Sequence, residues 1–151
     1  MKVKTEAPLS PLQLALLASQ TEPNRLPSPG FILWSLNNDW QREVTRALRP
    51  HQLSLAQWLL LFTLVRLTEK QGRVRLVALV DELSLNPTFV SDVIKALVKK
   101  HFVHKLKLAS DQRAFYIRPT AVGRITVIEA YSDLIQAEKR FFSRFTPGVE
   151  S

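Results

Sequence analysis

The chain contains no cysteine, which removes disulfides, thiol catalysis, cysteine redox sensing and cysteine-ligated zinc together. Glycine is scarce, with four in 151 residues, and none belongs to a glycine-rich loop of the kind that cradles phosphates. The three histidines, His51, His101 and His104, have no nucleophile or ligand-spaced carboxylate beside them, and Asp81-Glu82 lacks partners for a metal. The sequence therefore reads as neither an enzyme nor a metalloprotein, and no cofactor is expected. Long apolar runs are missing too: Trp58 to Phe62 breaks at Thr63 and resumes for only two residues, where a membrane span needs about 20. Near the N-terminus, Glu6, Pro8, Pro11 and Gln13 interrupt what would otherwise resemble a signal peptide. Carboxylates are outnumbered, 13 against 21 lysines and arginines, for a net charge of +8. Such a balance favours a polyanionic partner. A cytoplasmic protein without a membrane partner is the expectation.

What is present suits one globular domain, with 46% hydrophobic and 23% charged residues. Pro8, Pro11, Pro23, Pro27 and Pro29, followed by Gly30, forbid one continuous helix or strand over the first 30 residues. Residues 1–30 are read as an arm, in which Leu12, Leu16 and their neighbours Leu9 and Leu17 form an apolar helical turn. From Phe31 the pattern is helical, with Ile32, Leu36, Trp40, Val44 and Leu48 at every fourth position until Pro50. Ser54 and Gln57 form a capping box ahead of a second, more hydrophobic helix that ends near Gly72. Val77, Val80 and Leu83 mark a short third helix, and Asn86-Pro87 supplies an N-cap and a first-turn proline for a fourth. Only Ser84 and Leu85 lie between them, which predicts a helix-turn-helix. Residues 102–108 and 114–118 alternate like a two-stranded hairpin around Ala109 to Gln112, and Thr120 caps a last amphipathic helix.

Functional residues follow from geometry and charge. At 100° per residue around the fourth helix, Val90, Val93, Ile94 and Leu97 fall within about 140–240° of Thr88 and form the buried face. Thr88, Ser91, Asp92, Lys95 and Lys99 fall within about 60° of zero, a polar stripe suited to base edges and phosphates. By itself such a stripe is an ordinary solvated helix face. Its surroundings argue otherwise. Between residues 95 and 118, Lys95, Lys99, Lys100, Lys105, Lys107, Arg113 and Arg118 face Asp111 alone, a net of +6 within 24 residues. Three quarters of the net charge thus occupies the end of one helix and the hairpin after it, and marks nucleic-acid contact.

Leu79-Val-Asp-Glu-Leu83, Asn86-Pro-Thr-Phe-Val90, Leu97-Val-Lys-Lys-His-Phe-Val103, Asp111-Gln-Arg113 and Thr120-Ala-Val-Gly123 occur in this order, at spacings that match a known family pattern with no gap needed. This succession resembles the MarR family of winged helix-turn-helix transcriptional regulators over about residues 31–145. The resemblance implies a mostly α fold with a small β-hairpin wing, and dimerisation helices at 31–49 and 120–145 around the DNA-binding elements. It also implies that Arg113 enters a minor groove, with Asp111 shaping the turn. Narrow minor grooves do attract guanidinium groups.

Three departures from the family pattern stand out. His101 takes a place that is usually a left-handed glycine. Pro119 replaces a leucine and removes a backbone donor at the end of a strand. The family typically continues beyond this chain's last residues into another helix that clasps the dimer, and the arm is expected to take its place. The apolar residues Ile128, Tyr131, Leu134, Ile135, Phe141 and Phe142 are assigned to dimerisation. Family members sense small aromatic molecules in a crevice, for which Trp34, Trp40, His51, Trp58 and Phe62 are the candidates; aromatics at helical spacing are otherwise plain core. The resulting reading is a cytoplasmic repressor that binds an inverted-repeat operator in double-stranded DNA as a homodimer. The alternative is a winged-helix assembly, nucleoid or replication module without operator specificity.

Overall fold

The computed structural model describes residues 28–108 and 111–145, without the side chains of Leu108 and of residues 111–114. The expected arm up to residue 27 and the hairpin tip at Ala109 and Ser110 lie outside the described residues. The described residues fall into two compact units, residues 28–44 with 136–145, and Thr45–Ile135.

Helix α1, Pro29–Leu48, begins two residues before the expected start. Proline fits the first helical turn, where its missing N–H has no intrahelical partner to lose. In the first unit, Val44 of α1 is buried, Ile32, Leu36 and Trp40 are half-buried, and Phe31 and Leu33 are exposed. Glu43 pairs with Arg144 at 3.3 Å, Asp39 pairs with Arg42, and Phe141 meets Phe142 edge-on with centroids 5.2 Å apart.

The second unit carries the elements of the sequence motif. A 3-10 turn over Arg49–His51 leads to α2, Leu55–Gln71. Both bonds of the capping box are formed: Gln57 N donates to Ser54 Oγ at 3.1 Å and Ser54 N to Gln57 Oε1 at 3.2 Å. Strand β1, Val74–Arg75, precedes α3, Leu76–Leu83, and α4, Pro87–Lys99. Strands β2, Val103–Leu108, and β3, Asp111–Pro119, lead to α5, Ala121–Phe142. The core of the unit draws Leu60, Leu61 and Leu64 from α2, Leu79 from α3, Val90, Ile94 and Leu97 from α4, and Ile117 from the sheet. In α3 it is Leu79 that is buried, while Val77 is exposed.

The expected two-stranded hairpin is a three-stranded antiparallel sheet in the order β1-β3-β2, because Val74 and Arg75 pair with Ile117 and Tyr116. A two-residue strand has no alternation by which a sequence reveals it. Strand β3 also starts earlier than expected, at Asp111, which pairs with Leu108 after an irregularity between Lys107 and Leu108.

At the base of the hairpin the chain folds tightly on itself. His101 adopts φ 60° and Phe102 N donates to Leu97 O at 3.0 Å, so the histidine holds the left-handed position that ends α4. Phe102 O then accepts from Thr120 N at 3.0 Å, while Thr120 Oγ1 donates to His101 O and accepts from Gly123 N. A β-carbon on Gly123 would stand 2.2 Å from Phe102 O and 3.0 Å from Phe102 C, both backbone atoms that cannot step aside like a side-chain tip. Gly123→Ala should therefore cost about 2–3 kcal/mol through overpacking and lower the midpoint of a thermal melt by about 5–10 °C. Gly30→Ala is the control, since a β-carbon there would meet only Ser28 Oγ at 3.9 Å. Equal melting of the two variants would show that the close approach at Gly123 carries no weight.

Candidate nucleic-acid interface

The turn between α3 and α4 is made by residues suited to it. Ser84 takes the left-handed conformation at φ 50°, and Leu85 N donates back to Val80 O at 3.3 Å. Asn86 then caps α4, its Oδ1 accepting from Thr88 N at 2.9 Å and Phe89 N at 3.3 Å, with Pro87 in the first turn. The first turn of α4 is thus pinned at its backbone.

On α4, Thr88, Asp92, Lys95 and Lys99 are exposed and Ser91 is half-buried, so the structure brings the expected stripe to one face. Two of its members engage each other: Lys95 Nζ stands 2.9 Å from Asp92 Oδ1, one turn apart. This exposed pair contributes little stability, but it sets the direction of the Lys95 ammonium. Lys100, expected among the DNA cations, also bonds to the protein. Its ammonium donates to Gln52 O at 2.6 Å and to Gln57 Oε1 at 2.8 Å. It therefore braces the end of α4 against the start of α2.

The sheet stands beside the stripe. Ser91, Lys95 and Val98 of α4 share with Lys105, Phe115 and Ile117 of the strands the lining of a cavity of about 180 Å³. Lys105 and Lys107 both lie over the Phe115 ring, their Nζ atoms 4.0 and 5.5 Å from its centroid. The negative face of the ring holds both ammonium groups on one side of the hairpin. On the short edge strand Arg75 reaches Tyr116, with Nε and Nη2 each 3.3 Å from the hydroxyl. Asp111 and Arg113 are placed by backbone within β3, and their side chains lie outside the described residues.

Outside the expected stripe, α4 carries an exposed aromatic side chain in its first turn, Phe89. This ring, 44% exposed, sits in the first turn of α4 beside the stripe. A search for polar and cationic groups passes over it. The signal that could have found it is its angle, about 100° from Thr88 and outside the arc of the buried face.

The crevice candidates divide. In the first unit Trp34 is exposed and Trp40 is half-buried with its Nε1 buried and unbonded. In the second unit Trp58 and Phe62 stack at 5.0 Å, and Tyr131 lies nearly parallel to both at 6.2 and 5.7 Å. Trp58 Nε1 donates to Val127 O at 3.4 Å, and His51 Nε2 lies 2.7 Å from Asp133 Oδ2. The dimerisation candidates divide as well. Ile128, Tyr131 and Phe142 are exposed, whereas Leu134 and Phe141 are buried within their own chain and Ile135 is half-buried. Helix α5 is apolar on two sides, and periodicity does not say which one the chain itself covers.

No helix among the described residues is long and apolar enough to cross a membrane. The MarR family model matches residues 53–115. A relative from Bacillus subtilis strain 168, described as an uncharacterised HTH-type transcriptional regulator, YdcH, is 30% identical over 116 residues, which are 77% of this chain and 79% of the relative. Among solved structures, a mutant MarR from E. coli complexed with operator DNA aligns with a TM-score of 0.69 at 18% identity over 87% of this chain and 88% of that one. BpsR of Bordetella bronchiseptica, whose DNA binding is described as regulated by 6-hydroxynicotinic acid, aligns at 0.66 and 22% identity over 78% of this chain and 81% of that one.

The brace at Lys100 is testable without any ligand. In a double-mutant cycle on stability, Lys100→Met and Gln57→Ala should couple by about 0.5–1 kcal/mol, the net worth of a partly exposed hydrogen bond to a charged group. Additivity within about 0.3 kcal/mol would show that the two side chains act independently.

Proposed function

The chain belongs to the MarR family, and from that membership we propose that it is a sequence-specific DNA-binding transcriptional regulator. It acts as a cytoplasmic repressor and binds an inverted-repeat operator as a homodimer. The observation that carries this reading is the shared surface of α4 and the sheet, where Ser91 and Lys95 line one cavity with Lys105 and Phe115. A helix meant for the major groove and a cationic hairpin meant for the backbone and minor groove thereby form one positive face.

Within that face the labour divides. Thr88, Ser91, Asp92 and Lys95 discriminate bases, Lys99, Lys105 and Lys107 bind phosphates, and Arg113 with Asp111 serves the minor groove. Lys100 acts through its brace. The exposed Ile128, Tyr131 and Phe142 contribute to a two-fold interface that sets the reading helices about 34–36 Å apart. By analogy with the ligand described for BpsR, a small aromatic effector is proposed, with the flat rings of Trp58 and Phe62 as its candidate contacts.

Selection of preferred duplexes from a random pool, followed by salt titration, tests the recognition. Specific affinity should exceed that for random duplex by at least about 10³ and fall about 10³–10⁵-fold between about 50 and 200 mM salt. Lys99→Ala, which removes one phosphate contact from each protomer of the dimer, should lower the salt slope by about two, and Lys100→Ala should leave it unchanged. Arg113→Ala should weaken binding by about 1–3 kcal/mol. Arg113→Lys should recover only part of that, because lysine is more strongly hydrated and lacks the planar fork. A specificity ratio near one would instead favour the nucleoid or assembly type of module, and full rescue by lysine would remove Arg113 from the groove.

The interface is tested by light scattering on the full chain at micromolar concentration, where a dimer mass is expected. Ile128→Glu should shift it to monomer. A monomeric unmodified chain overturns the homodimer.

A further inference from the structure

Phe89 is a large apolar side chain at a place where the rest of the face is polar or cationic. It is 44% exposed, and among the described residues neither an aromatic ring nor a cation packs against it. Its backbone is held in place, since the Phe89 N–H donates to the Asn86 cap. Around α4 it stands about 60° from Asp92 and about 160° from Ser91. Ser91, with Lys95 and Val98, turns toward the cavity shared with the sheet. Phe89 is therefore on the opposite flank of the stripe, away from the hairpin.

We propose that Phe89 reads the 5-methyl group of a thymine in the major groove and so adds a base preference beyond the hydrogen bonding of the polar stripe. The proposal rests on the DNA-recognition reading above and extends it by one specificity-determining residue. The chemistry follows from what each base edge offers. In the major groove the thymine methyl is the largest apolar feature among donors and acceptors, the hydroxyl, carboxylate and ammonium groups of the stripe gain nothing from it, and besides Phe89 only the small methyl of Thr88 offers it an apolar partner. An aromatic ring gains through burial of apolar surface on both sides. Residues at the N-terminal end of a reading helix are the ones that reach base edges, and Phe89 lies within that turn. The +6 block that follows selects a polyanion as the partner. That makes a duplex, rather than a neutral protein surface, the occupant of the stripe that Phe89 borders.

The test uses the full chain and its preferred duplex, selected from a random pool. Each thymine is replaced singly by uracil, which deletes the methyl and leaves every hydrogen-bonding group in place. At one position in each half-site the replacement should weaken binding by the unmodified chain about fourfold, the factor expected for one buried methyl group. Phe89→Ala should bind the thymine and uracil duplexes equally. Phe89→Leu, still apolar, should keep part of the difference, and thermal melts confirm that both variants fold. If no uracil position weakens the unmodified chain, or if the thymine-to-uracil difference survives in Phe89→Ala, the proposal is overturned while operator recognition stands. If the chain selects no sequence at all, operator recognition falls and the proposal falls with it.

Discussion

The carbonyl of Phe102 accepts the Thr120 N–H at 3.0 Å, and beside it the backbone of Gly123 runs so close that a β-carbon would come within 2.2 Å of the same oxygen. Four elements meet at this point. Helix α4 ends there through the left-handed His101, β2 begins, β3 ends, and the Thr120 hydroxyl caps α5 by accepting the Gly123 N–H at 2.8 Å. The wing is anchored at both of its feet to the end of the helix it must work beside. Small displacements at this junction would be magnified along a hairpin of six and nine residues. Every functional distance between α4 and the wing therefore depends on it. The Thr-x-x-Gly spacing has a plain physical cause here: a hydroxyl to satisfy a helix-start donor, and no side chain where two backbones touch.

The same economy governs the cations. Net charge alone counts all seven cations of residues 95–118 as equal, but their surroundings make them different. Lys95 is directed by Asp92, Lys100 holds two oxygens near the start of α2, and Lys105 and Lys107 share the face of Phe115. An ammonium that already has a carbonyl and an amide oxygen loses more on transfer to a phosphate than one resting on a ring or facing water. Lys99 is exposed, and it stands on the same stripe as Lys95. Charge supplies attraction to a polyanion, and the local partners decide which charges deliver it.

Helix α5 shows how one apolar sequence serves two surfaces. Val127, Ala130 and Leu134 are buried, while Ile125 and Ile128 are exposed on the other side. Tyr131 lies between these roles, stacked on Trp58 and Phe62 while keeping 44% of its surface exposed. Exposed isoleucines in such number are unusual for a surface that meets only water. In the proposed homodimer they have a partner surface to cover them.

Much of the fold was legible because it is local. The Ser54–Gln57 box, the Asn86-Pro87 start and the stop of α1 before Pro50 each depend on a few consecutive residues, and all appear in the structure. The left-handed geometry at His101 was legible for a different reason, since the family pattern marks that place for glycine. The charge block is fixed by covalent order alone. Tertiary structure decided what stands opposite each residue. It paired Val74 and Arg75 with a strand more than 40 residues away, and gave Lys100 its oxygens on Gln52 and Gln57. It also set Phe115 beneath two lysines, buried Leu134 rather than Ile128, and left Phe89 partly exposed. Periodicity gives the angle of a side chain about its own helix or strand. It carries no information about the neighbour at that angle, because the neighbour is brought there by packing between segments distant in sequence.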